Sequence, residues 1–152
     1  MINEFHKLNE QEIELMLKLP ILVCILIAGA DGNIDKKEIR EAIAFVQKNK
    51  KSKLETYFRE VALDFEDKVK ITIQGYPYES TQRNPLVIHE LSEVNNVWSK
   101  LDRNFAKAIY DAMKEVATRI ASSSGGLLGI RSVGSQEAKY LELPMISDPL
   151  KN

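Results

Sequence analysis

Asp31, Asp35 and Glu38 stand together in the stretch Ala30-Asp31-Gly32-Asn33-Ile34-Asp35-Lys36-Lys37-Glu38, where clustered carboxylates meet a glycine turn. The chemistry such a set offers is the binding of a hard divalent cation, which takes oxygen ligands from carboxylates and carbonyls. Asp-Gly, an isoleucine two residues on and a glutamate six after the glycine match the second half of an EF-hand loop. The first half does not match. With Gly32 as the turn glycine, the first and third ligand positions fall on Ile27 and Gly29, which carry no side-chain oxygen. A true EF-hand is therefore excluded, and a weaker cation site through Asp31, Asp35 and Glu38 is the candidate that remains. A second account needs no ligand: Asp35 and Glu38 have the spacing of a capping box, and Gly32 suits the left-handed residue that closes a helix. Asp31 then lies at the negative carboxyl end of one helix, offset either by the positive amino end of the next or by a bound cation. Both accounts stay open in the sequence.

Other chemistry is thin, and no catalytic residue is assigned. His6 and His89 are each isolated, and one cysteine, Cys24, makes no zinc set. There is no GxSxG, Walker A or dinucleotide motif; the glycine-rich Ser124–Gly129 lacks the Lys-Ser/Thr and the preceding strand that a phosphate loop requires. Leu127, Leu128 and Ile130, aliphatics set among glycines, are the candidate contact surface for a protein partner, or else a lid that tucks back on the core.

The elements that must position these residues are bounded by composition. A chain of 152 residues, 44% hydrophobic, can bury one core, which predicts a single domain over 1–152. Lys and Arg number 21 against 22 Asp and Glu, so no overall field draws the chain to nucleic acid or an anionic membrane. The basic run Lys48 to Lys51 complements the carboxyl end of a helix, which explains it without nucleic acid. The segment Leu19 to Ala30 falls short of the roughly 20 apolar residues that a membrane helix needs. The acidic opening residues do not read as a secretory signal, and a lone cysteine suits the reducing cytoplasm, the expected location.

In chain order, Asn9 and Glu12 form a capping box for a short helix over about Glu10–Lys18. Pro20 then starts a second helix running to about Ala30, apolar all round and so expected at the centre of the bundle. A third, from just past Asp35, carries Ile39, Ala42, Ile43 and Val46 on one face. Ser52 and Glu55 cap a fourth, continuous to about Gln74; the alternation Val69, Ile71, Ile73 could mark a strand, but an isolated strand leaves its backbone unpaired. Gly75 to Asn84 reads as a loop. From Pro85 the stripe Val87, Leu91, Val94, Trp98 and Leu101 predicts a helix that packs antiparallel to the next, which Asp102 caps and which carries Phe105, Ile109, Met113, Val116 and Ile120. Ser135 introduces a last short helix through Tyr140 and Leu141, stopped by Pro144.

The apolar helix, the turn Ala30 to Glu38 and the amphipathic helix after it resemble the first signature of TerB-like domains, the helical modules named for tellurite-resistance proteins. Ala121 to Glu137 is similar to the glycine-rich segment before the final helix of many such domains. The resemblance implies an all-α, single-domain bundle of about six to seven helices, with metal-binding acids that map onto Asp31, Asp35 and Glu38. It implies a non-enzymatic binding or scaffold module with a protein partner, in a stress or envelope-associated response, with self-association possible and a divalent cation the only cofactor in view. Its second half departs from the pattern: Ile130 and Gly134 stand where Asp31 and Asp35 do in the first, and only Glu137 survives.

Overall fold

In the computed structural model, which describes residues 2–29, 35–49, 54–124 and 139–151, the apolar run lies where a segment without a polar face has to lie. Every residue from Leu19 to Ala28 is buried. Around it the described residues form six α-helices and no strand: α1 (Glu10–Ala28), α2 (Lys36–Asn49), α3 (Glu55–Ala62), α4 (Phe65–Gln74), α5 (Ser80–Ser92) and α6 (Arg103–Ser124). All five other helices pack on α1, which makes it the axis of the bundle, and α6 also packs along α2.

Helix α1 opens with the expected capping box: Asn9 Oδ1 accepts the Glu12 N–H at 2.8 Å, and the Glu12 carboxylate accepts the Asn9 N–H at 2.9 Å. It does not stop at Lys18. One helix runs through Pro20, where two were expected. Proline inside a helix removes the donor that would reach the carbonyl four residues back, at a cost of about 3 kcal/mol. That carbonyl is Met16 O, and the buried Tyr57 hydroxyl donates to it at 2.6 Å. The Tyr57 ring is held edge-on to Phe5 and Phe58, with centroids 6.4 and 5.2 Å away. The replacement Tyr57→Phe keeps this packing and removes only the donor, so unfolding in urea should show a loss of about 1–2 kcal/mol. In a Pro20→Ala background Met16 O regains a helical N–H, and the same replacement should cost measurably less. Equal costs in the two backgrounds would mean that the hydroxyl does not repair the proline.

The expected helix from Ser52 to Gln74 is two helices. Ser52 lies outside the described residues, and α3 begins after Leu54, not after a serine cap. The break falls at Leu63-Asp64, where Asp64 takes a left-handed conformation (φ 52°). Lys68 reaches back from α4 so that its ammonium donates to the carbonyls of Glu60 (2.8 Å) and Val61 (3.4 Å) at the end of α3. A lysine on a helix's carboxyl end satisfies groups that a continuous helix would have paired itself.

Residues read as loop up to Asn84 are partly helix. Backbone N–H groups of Gln82 and Arg83 bond Glu79 O, so α5 starts at Ser80 and carries Pro85 in its second turn. The carbonyl that Pro85 deprives belongs to Thr81, an exposed residue. The stripe Val87, Leu91, Val94, Trp98 and Leu101 is buried as expected, although beyond Ser92 it continues in two 3₁₀ turns, Glu93–Asn96 and Trp98–Lys100. With that stretch between them, α5 and α6 do not form the expected antiparallel pair and each packs mainly on α1. Asp102 caps α6, its carboxylate accepting the Phe105 N–H at 3.0 Å.

The carboxyl-terminal residues form a strap where a short helix was expected. Ser135 lies outside the described residues; Lys139 and Tyr140 are helical, and turns follow from Leu141. Leu143 is left-handed (φ 50°) and fully buried. The indole N–H of Trp98 donates to Ser147 O at 2.9 Å, and Asn95 bonds both Met145 O and the Ser147 N–H. Asp148 accepts the Leu150 N–H and the Lys107 ammonium, which together hold its carboxyl below the ordinary value of 3.8. A carboxylate lowered on folding stabilises at pH above that ordinary value, and its contribution is lost as pH falls through the folded value. Lys107 is raised by Asp148, so its share holds below the ordinary 10.5 and is lost only as pH rises through the folded value. Trp98 is the chain's one tryptophan. Its fluorescence should shift to the red as pH drops below about 3.8, ahead of the loss of helical circular dichroism. Coincident transitions would show that this pair does not hold the strap.

Candidate functional site

Of the expected cation ligands, Asp31 lies outside the described residues, as do Leu127, Leu128 and Ile130. Asp35 is the amino-terminal cap of α2: its Oδ1 accepts the N–H of Lys37 at 2.8 Å and of Glu38 at 3.4 Å. Glu38 lies in the first turn of that helix, half-buried. The helix-capping account is thus satisfied at Asp35. Among the described residues no three His, Cys, Asp or Glu side chains converge as a metal-ligand set.

Sequence reasoning missed the cation that the fold itself supplies here. Arg83 is 5% exposed, and its guanidinium lies at the carboxyl end of α1. Nη2 donates to Gly29 O and Nη1 to Tyr78 O, both at 2.7 Å. Among the described residues Nε has no partner, nor has the nearby buried Asn84 Oδ1. A positive group on the last carbonyls of a helix offsets the negative end of its dipole. The unfavourable field expected at the start of the acidic turn is therefore answered in part by an arginine from α5. A Cβ at Gly29 would stand 2.5 Å from Arg83 Nη2, so an added methyl there would push the guanidinium off the carbonyl it serves.

The second unforeseen feature is a groove of about 430 Å³ between the first half of α1 and α4, with Ile13, Leu17, Ile71 and Thr72 as its floor and walls. Ile71 is 68% exposed. The alternation Val69, Ile71, Ile73 contained this signal. In a helix, residues 69 and 73 share a face and residue 71 points away from it, so α4 buries Val69, half-buries Ile73 and leaves Ile71 to the outside. Ile71 is one of several exposed large apolar side chains, with Phe45, Leu63, Tyr78, Leu86 and Leu150. Phe45 lies under the Arg119 guanidinium at 4.1 Å.

A polar cleft of about 440 Å³ lies on the other side of Glu14 and Lys18, reaching Glu90, Glu93 and Asn96. In it Lys18 pairs with Glu90 at 2.5 Å, and the Tyr76 hydroxyl also donates to Glu90. Burial, with the Glu90 carboxylate beside it, raises the Tyr76 phenol above its usual range, which suits a hydrogen-bond donor and not a base. Burial likewise pushes the Cys24 thiol up, away from the thiolate that a nucleophile needs. Burial lowers the Lys68 ammonium at the groove's edge, against the opposing pull of Asp64 and Glu60.

No helix among the described residues is long and apolar enough to cross a membrane. The chain matches no family model, no curated protein and no solved structure.

Proposed function

We propose that the chain is a non-enzymatic binding or scaffold module of TerB-like type, acting in the cytoplasm in a stress or envelope-associated response, and that it docks a protein partner in the groove between α1 and α4. Ile71 carries the proposal. A large aliphatic side chain left 68% exposed beside a concavity floored by Ile13 and Leu17 costs solubility unless something covers it. Recognition by such a groove needs no chemistry from the protein, only apolar anchors and a polar rim.

The test is affinity capture on the wild-type protein, followed by calorimetry with the purified captured protein. Ile71→Asp should abolish that binding. Asp35→Asn should leave it intact, because asparagine caps a helix about as well as aspartate. If Asp35→Asn destroys binding, or if millimolar calcium, magnesium or zinc raises the melting temperature in a manner that Asp35→Asn removes, the acidic turn is a cation-regulated site and the proposal fails.

A further inference from the structure

The charges around the groove select among partners. Lys18 is paired with Glu90, and Lys68 spends its ammonium on the carbonyls of Glu60 and Val61. Glu10 and Glu14, one turn apart on the exposed side of α1, have no ion pair among the described residues, and neither has Glu93 across the adjoining cleft. The groove therefore offers aliphatic contact flanked by free carboxylates while its own cations are engaged. We infer that its occupant is a basic amphipathic helix, one that lays leucine- or isoleucine-type anchors spaced i, i+3 or i+4 against Ile13, Leu17 and Ile71 and turns lysine or arginine toward Glu10, Glu14 and Glu93. An acidic helix would meet like charge on the same rim, which opposes association even where the apolar fit is good. The pairs lie at a solvated edge, so they set partner choice and association rate more than total affinity, and binding weakens as salt rises.

This inference rests on the groove being the docking site, and its test separates the two. Three labelled peptides with identical leucine spacing, carrying lysine, glutamine or glutamate on the polar face, are titrated by fluorescence anisotropy against the wild-type chain, Ile71→Asp and the double variant Glu10→Lys/Glu14→Lys. Both substituted sites are exposed, and circular dichroism checks that the variants fold. The leucine–lysine peptide should bind tightest, lose about tenfold or more with Ile71→Asp, and lose about three- to tenfold with the double variant. The leucine–glutamate peptide should gain on the double variant. Equal binding of all three peptides, lost with Ile71→Asp, would overturn the basic partner and leave the groove standing. Binding of the lysine peptide that Ile71→Asp does not weaken would overturn both.

Discussion

Replacing Arg83 with methionine should lower the unfolding free energy by about 2–4 kcal/mol, measured by urea denaturation. The two carbonyls that its guanidinium serves at 2.7 Å lose charge-assisted donors, each worth about 1.5–3 kcal/mol. Part of that sum is returned because a buried cation, whose Nε has no partner among the described residues, is no longer held out of water. Lysine at the same position should recover only a fraction, since one ammonium on a flexible stem does not reproduce a planar fork spanning two acceptors. Gly29→Ala gives an independent check. Its Cβ would meet Nη2 at 2.5 Å, so alanine should destabilise the wild-type protein by about 1–3 kcal/mol. In the Arg83→Met background the same change should be nearly neutral. If the two replacements simply add, Arg83 does not clasp the end of α1.

Leu22→Ala should cost about 3–5 kcal/mol, the upper part of the range for truncating a fully enclosed leucine, because helices pack on α1 from several sides and the cavity cannot easily collapse. Ile71→Ala removes a comparable side chain and should change stability by less than about 0.5 kcal/mol, since most of that residue already faces water. The contrast separates the apolar axis, which the chain must bury in order to fold, from an aliphatic residue on a neighbouring helix that folding leaves uncovered. Similar losses for the two replacements would remove the distinction.

The helical class and its axis were legible in the sequence because they depend on local pattern. A run with no polar face can only be central, and Leu19 to Ala28 is. The caps at Asn9, Asp35 and Asp102 follow from a side chain meeting backbone two or three residues on. What escaped depends on partners distant in sequence. Pro20 reads as a helix start unless a hydroxyl from 41 residues away is known to serve Met16 O. Arg83 sits in what looks like a polar loop, and its acceptor Gly29 is 54 residues earlier. The break before α4 reflects Lys68 turning back on α3, one of several placements that a lysine can take on a helix surface. Of the sequence-derived site, Asp35 is placed as a cap and Glu38 stands in the first turn that it caps. Asp31, Leu127, Leu128 and Ile130 lie outside the described residues. The groove was within reach of the sequence: the alternation about Ile71, weighed for a strand, is in a helix the mark of one apolar residue facing away from the core.

The most direct measurement of where this protein binds is a titration of the isotope-labelled chain with the leucine–lysine peptide, followed by amide and methyl chemical shifts. The account predicts that the largest perturbations fall on Ile13, Leu17, Ile71 and Thr72, with smaller ones at Glu10, Glu14 and Glu93, while Asp35 and Glu38 stay unmoved. Shifts centred on Asp35 and Glu38, or spread over the surface with Ile71 unaffected, would contradict it.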